Sequence, residues 1–232
     1  MDPSICGRYV LKSAPRAIRA QFDIVDEHWG ETSRREEWRP RFNLAPSQVA
    51  PVVRLIDGKR HLVLLRWGLI PSWAEDPSIS MKLINARSET AATKPAFRAA
   101  FRSHRCIVPA DGFYEWQHLA SGKQPFYIHR KDGQLLAMAG LWEHWTPPGT
   151  KDSVETFTIL TTEANDWMRQ IHDRMPLALE GDEVGTWLNP ETKTEDLQRL
   201  MRPLGEDQLA AYPVSKAVGN VHHDQPALVE PI

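Results

Sequence analysis

The chain has 232 residues, of which 41% are hydrophobic and 25% charged, with a formal net charge of −2 and two cysteines. These ordinary proportions exclude an intrinsically disordered chain, two cysteines exclude a disulfide framework, and no apolar run approaches the roughly 18 residues of a membrane span. With no apolar leader core near the N-terminus, a reducing cytoplasm is the expected compartment. The charge is unevenly spread: residues 1–130 carry 20 Lys and Arg against 13 Asp and Glu, whereas residues 131–232 carry 8 against 17. Most of the first twenty cations are arginines, whose planar guanidinium suits local phosphate contacts.

In chain order, Ser13 is placed to cap a helix that has Pro15 in its first turn and runs to about Trp29. The Arg/Glu-rich stretch 31–41 reads as a loop. Apolar alternation predicts strands near 51–56 and 61–67, joined at the hairpin-turn dipeptide Asp57-Gly58. Thr93 can cap a second helix with Pro95 in its first turn and Phe97, Ala100, Phe101 and His104 on one face. Further strands are expected near 105–109, 112–117, 125–130, 135–142, 154–161 and 210–214, with Asp132-Gly133 as another hairpin-turn signal. Helices are expected over Glu163–His172 after Thr162 and over Glu195–Arg202 after Thr194, and Thr146–Lys151 reads as a loop. More strands than helices, without regular βαβ alternation, predict an α+β fold. The expectation is a single domain over residues 1–232, built on a mostly antiparallel, barrel-like β-sheet core with several peripheral helices. No linker divides the chain, and no repeat or low-complexity tract is present.

Five polar clusters stand out from apolar surroundings. Ile5-Cys6-Gly7-Arg8-Tyr9-Val10 puts a thiol, a backbone amide and a cation at one point. Were the residues before Cys6 removed, its amine (pKa about 7.7–8.0) and thiol (about 8.5) would form a 1,2-aminothiol that condenses with aldehydes. Read without context, Cys6 is equally a small buried residue on a first strand. Arg41–Pro46 reads as a turn ending a loop. Asn85-Ala86-Arg87-Ser88-Glu89-Thr90 offers an amide, a guanidinium and a carboxylate after a short apolar strand. Asp111–Trp116 alternates, so Phe113 and Glu115 share one face and Tyr114 and Trp116 the other. Ile171–Pro176 places His172 at a helix end, where it serves equally as a C-terminal cap. A nucleophile, a histidine, a carboxylate and an amide are a chemically sufficient set, though spacing does not show that they converge. Cys106, in an apolar strand, reads as structural, and nothing signals a metal or organic cofactor.

Taken in order, Cys6-Gly-Arg-Tyr, Asn43-Leu-Ala-Pro, Trp67-Gly68, Asn85-Ala-Arg-Ser-Glu-Thr, Cys106 through Trp116, Ile171-His-Asp-Arg-Met-Pro and Val214 through Asn220 resemble the SRAP family of abasic-site processing proteins. The resemblance covers about residues 6–222. It implies binding of single-stranded DNA that carries an abasic site, with capture of the ring-opened aldehyde as a thiazolidine crosslink through N-terminal Cys6. An AP-lyase side activity is compatible with it. By the same resemblance Cys6 is the double nucleophile, Glu115 the proton shuttle, His172 the partner of the opening sugar oxygen, and Asn85 the group that orients the cysteine. Arg8, Arg87 and Thr161 would hold phosphates, Pro46, Trp73 and Trp116 would wedge or stack a kinked strand, and Asn43 belongs to the DNA-binding set. A monomer is the default expectation, since the sequence shows no oligomer interface, with no membrane partner and a cytoplasmic location, nucleoid-associated when bound to DNA; the resemblance implies a role in the SOS response to DNA damage.

One departure from the family pattern matters. Residues 1–5 precede Cys6, and while they remain its nitrogen is an amide that forms no imine. Self-cleavage at Ile5–Cys6, trimming by a protease, or a start codon assigned too early would each resolve this. A cysteine peptidase using Cys6, and a non-catalytic reader of single-stranded or modified DNA, are the rival readings. The peptidase predicts cleavage without an aldehyde, and the reader predicts salt-sensitive binding that survives Cys6→Ala.

Overall fold

The structure, a computed structural model, describes residues 6–28 and 39–232. In chain order its elements begin with β1 (Tyr9–Leu11), α1 (Pro15–Phe22), β2 (Asp26–His28), β3 (Arg41–Leu44), β4 (Val49–Ile56) and β5 (Lys59–Trp67). Next come β6 (Asn85–Arg87), α2 (Ser88–Ala91), α3 (Arg98–Ser103), β7 (Arg105–Ala110), β8 (Gly112–Leu119), β9 (Gly122–Arg130) and β10 (Leu136–Trp145). The remainder are β11 (Val154–Glu163), β12 (Arg174–Pro176), β13 (Ala178–Leu179), α4 (Glu183–Leu188), α5 (Thr194–Arg199) and β14 (Leu209–Pro213).

Two sheets result. In the first, β11, β10, β7, β4 and β5 pair in turn as antiparallel neighbours, and β5 then pairs in parallel with β11 at Arg66↔Thr156 and Phe157↔Trp67. That last pairing closes a five-stranded barrel and removes its open edge. The second sheet is antiparallel throughout, in the order β14-β9-β8-β1-β3. Strand β7 is buried along its whole length, consistent with its continuous Cys-Ile-Val run. One apolar core joins the barrel lining to the inner face of the second sheet, with Trp67 against Tyr9 at 5.3 Å and against Phe157 at 6.2 Å. A smaller cluster of Val10, Tyr114, Tyr127, Val214, Val218 and Leu228 covers the outer face of that sheet. The expected α+β architecture on a barrel-like core is therefore what the chain adopts.

The eight expected strands are all present, and Asp57-Gly58 turns the β4–β5 hairpin with φ of 50° and 73°. Several expectations need correction. The first helix stops at Phe22, where Asp23 takes a left-handed conformation (φ 50°), and β2 follows. Ser13 does not cap it; its hydroxyl donates to Asp111 instead. The segment 163–172 is no helix: β11 continues through Glu163, and Asn165 accepts the Met168 amide to start a single 3₁₀ turn over Met168–Gln170. Residues 41–44 are strand β3 rather than a turn. Asp132-Gly133 does turn the chain, but β9 and β10 lie in different sheets, so no hairpin forms there. Most of the expected loop 31–41 lies outside the described residues.

Arg105, only 4% exposed, shows how the helices are fastened to the barrel. Its guanidinium donates to the carbonyls of Phe101 (2.7 Å), Arg102 (2.6 Å), Trp187 (2.6 Å) and Asn189 (2.5 Å), at the C-terminal ends of α3 and α4. Arg105→Ala leaves the buried Phe101 and Trp187 carbonyls without this donor and is expected to destabilise the fold by roughly 3–5 kcal/mol. Urea unfolding measures this, and a loss below about 1 kcal/mol would mean that water replaces the side chain. Cys106 beside it points into the barrel, where a methyl on Gly140 would lie 2.9 Å from its Sγ; burial raises its thiol pKa, as suits a structural cysteine.

Candidate functional site

Cys6 and Glu115 meet because residues 6–8 lead into β1 alongside β8, where the Tyr114 amide donates to the Arg8 carbonyl at 3.0 Å. Alternation along β8 then divides its side chains: Tyr114 and Trp116 join the outer apolar cluster, while Phe113 and Glu115 point inward. Cys6 is 1% exposed and Glu115 2%, and the thiol hydrogen-bonds to the carboxyl. Burial pushes the Cys6 thiol well up, the neighbouring carboxylate charge adds to this, and the Arg8 backbone N–H opposes it. Burial likewise pushes Glu115 up to about 8 against the pull of the Trp116 N–H, with the Asp173 charge raising it further and the Cys6 hydrogen bond lowering it. Its Oε1 is buried with no protein partner. A proton thus rests on or between these two groups at neutral pH.

His172 lies on the segment after the 3₁₀ turn, next to Asp173, whose charge acts on Glu115. Its Nδ1 lies 3.1 Å from the Arg174 amide nitrogen, 3.1 Å from the Arg174 carbonyl oxygen and 3.3 Å from a carboxylate oxygen of Asp173. The ring is therefore oriented through Nδ1, and its side chain is 8% exposed. An open groove of about 390 Å³ runs past it, lined by Gln117 and His118 of β8 and by residues 169–173. Asn85, half-buried, sits on β6 opposite Ile159 of β11 and donates a long 3.5 Å bond to the Ile159 carbonyl; its Oδ1 is buried without a partner. Neither Asn85 nor His172 hydrogen-bonds to Cys6 or Glu115.

The remaining expected residues divide by environment. Arg87 is exposed, makes no ion pair among the described residues, and lies in register with Thr161. Thr161 is buried, and its carbonyl (2.6 Å) and hydroxyl (3.2 Å) both accept from Arg174. Arg8 is half-buried, bonds the Gly7 carbonyl at 2.7 Å and has a buried Nε without a partner, and burial lowers its pKa. Trp73 is 60% exposed, Pro46 is half-buried in the loop after β3, and Trp116 is half-buried against the outer cluster. Asn43 is fully buried and its amide nitrogen donates to the carbonyls of Val218 (3.1 Å), Asn220 (3.0 Å) and His223 (2.8 Å). It clamps the C-terminal segment onto β3 and is not presented to a ligand.

Two features escaped the sequence reading. Arg174 forms a bidentate pair with Glu89 (2.8 and 3.0 Å), tying the Asn85–Thr90 segment to the His172 segment. Gln117 joins β8 to the same segment by donating to the Gln170 carbonyl at 2.7 Å. The Arg–Glu pairing is foreshadowed by the opposite charges within the two motifs. The Gln117 contact has no signal in the sequence. Among the described residues no group of three His, Cys, Asp or Glu side chains is arranged to hold a metal, and no helix is long and apolar enough to cross a membrane.

A closed five-stranded barrel flanked by an antiparallel sheet, with a thiol–carboxyl pair buried at that sheet, defines a barrel protein with a cysteine-centred site. The family model described as SOS response associated peptidase (SRAP) matches residues 5–221, and the chain belongs to this family. It is 44% identical over 229 residues to the abasic site processing protein YoaM of Bacillus subtilis, covering 97% of this chain and 98% of YoaM. It is 34% identical over 259 residues to the abasic site processing protein HMCES of Xenopus tropicalis, covering 96% of this chain and 77% of HMCES. A crystal structure of a Bacteroides thetaiotaomicron protein shares the fold with a TM-score of 0.88 at 26% identity, covering 98% of this chain and all of that one.

Proposed function

We propose that this chain processes abasic sites in single-stranded DNA by capturing them covalently through Cys6, once residues 1–5 are absent. The observation that carries the reading is the buried Cys6–Glu115 pair, whose carboxyl keeps its proton to about pH 8. Glu115 first donates that proton to the leaving ring oxygen of the sugar, assisted by His172, while the C1′ hydroxyl releases its own proton to solvent and becomes the aldehyde carbonyl. The Cys6 amine adds to the aldehyde carbon, the ionised Glu115 accepts the proton released, and loss of water gives an imine. The thiol sulfur then adds to the imine carbon and its proton passes to nitrogen, closing a thiazolidine. One water is lost overall, with no change of oxidation state. Arg87, exposed, and Arg8, half-buried, would hold flanking phosphates, and the exposed Trp73 would stack on a base.

A cysteine peptidase draws less support from the same geometry. Peptidase cysteines are activated by a lowered thiol pKa, usually beside an imidazolium. Here burial raises the thiol, its partner is a carboxyl, and the Nδ1 of His172 is engaged by its own neighbours.

Intact-mass measurement after incubation with a single-stranded oligonucleotide carrying one abasic site tests the proposal. The expected species is the chain beginning at Cys6 plus the oligonucleotide minus one water. Free protein that begins at Cys6 and forms no adduct would overturn the reading.

A further inference from the structure

We infer that Gln117 is a positioning residue that acts through His172. Glu115 and Gln117 are two residues apart on β8 and so share a face, one carrying the buried carboxyl and the other reaching across the groove. Beyond Phe113 the β8–β9 hairpin has left β1 behind, since the β1–β8 register covers only Tyr9↔Phe113 and Val10↔Gly112. The arm carrying Gln117 therefore projects past the sheet, opposite residues 169–173. The 2.7 Å bond from Gln117 Nε2 to the Gln170 carbonyl spans that gap.

The carbonyl it holds lies two residues before His172, in the turn where the His172 amide donates to Met168 and Ala164 donates to the Asp173 carbonyl. Those local bonds set the shape of the turn, and Asn165, which donates to the Leu204 carbonyl, fixes its far end. Gln117 sets the distance of its near end from the strand bearing Glu115. A sub-ångström displacement at a reacting centre is enough to slow a step severalfold without weakening binding. This rests on the role proposed for His172.

The test compares Gln117→Ala and Gln117→Glu with His172→Ala and the double variant Gln117→Ala/His172→Ala, using the processed chain and an abasic single-stranded oligonucleotide. Gln117→Ala is expected to lower the crosslinking rate at saturating DNA about five- to tenfold while leaving the half-saturating DNA concentration within about twofold. Gln117→Glu keeps the length but loses the donor, and should do the same. In the His172→Ala background, Gln117→Ala should cause no further loss. A full additional loss there, or a loss confined to binding, would overturn the positioning role while leaving that of His172 intact. A wild-type rate for His172→Ala would instead remove His172 from the reaction, and the inference with it. The imidazole Cε1–H resonance of His172, followed by NMR in the full chain without DNA, gives a readout independent of activity. It should move in Gln117→Ala, and an unmoved resonance would overturn the inference.

Discussion

Glu115→Gln is expected to make the protein more stable and nearly inactive at once, with the stability gain growing from about 1 kcal/mol at pH 5 to several kcal/mol at pH 9. The sign follows from the direction of the shift. Burial holds the Glu115 carboxyl at about 8, whereas in the unfolded chain it titrates near 4.3. Between those values the unfolded chain has released its proton and the folded chain has kept it, so native stability falls as pH rises through the window. The difference is complete above about pH 8 and amounts to roughly 3–5 kcal/mol at about 1.4 kcal/mol per pH unit. Glutamine is neutral throughout and still offers an oxygen to the Cys6 thiol, so it escapes the loss. Urea midpoints of both proteins across pH 5–9 provide the check, and parallel curves would show that Glu115 is ionised in the native state at neutral pH. The same substitution removes the group proposed to give and take the proton. The crosslinking rate should fall at least 100-fold while the affinity for undamaged single strands changes less than about twofold. Comparable losses in both would make Glu115 a binding residue. In the wild type, the rate should decline above pH 8 as the acid form is lost.

The second large effect divides the two nucleophiles of Cys6. Cys6→Ser in a chain that begins at residue 6 keeps the amine and loses the thiol. Heat-stable adducts should drop below detection, while borohydride should still trap a covalent imine in similar yield. Cys6→Ala should behave in the same way. Heat-stable adducts of undiminished yield with either variant would remove the thiol from the chemistry. Failure to trap any imine would show that the amine is not the first nucleophile. The side chain is fully buried, so each variant needs an unfolding curve beside its activity.

The barrel was legible in the sequence because its strands are long. Residues 51–67 carry two apolar runs with Asp57-Gly58 between them, and the period-2 pattern of 112–117 put Glu115 on one face with Phe113, though it did not say that this face is the buried one. Strands of three or four residues, such as β1, β3 and β6, have no room for a period and were missed. The stretch 163–172 has helix-forming composition, but β-strand pairing with Arg174 and Met175 at its start and the Asn165 turn override it. The site was half legible. Cys6 and Glu115 were found as a thiol and a carboxyl on suitable elements, but their contact depends on β1 inserting between β8 and β3. Asn43 shows the reverse: an amide in a polar motif reads as a ligand-binding group, and only the three carbonyls around it reveal a structural clamp. Trp116, expected to stack on bases, alternates with Glu115 and rests half-buried against the outer cluster.

The insertion of β1 between two strands that come later in the chain also has a consequence during synthesis. Cys6 leaves the ribosome about 110 residues ahead of Glu115, and at 5–20 residues per second this is an interval of roughly 5–20 s. Throughout it the thiol has no strand to be buried against. The clamp on Asn43 waits longer still, for carbonyls at 218–223. The Cys6 thiol is therefore made first and enclosed late, so the nascent polypeptide passes through a period when it is open to oxidants from which burial in the finished fold shields it.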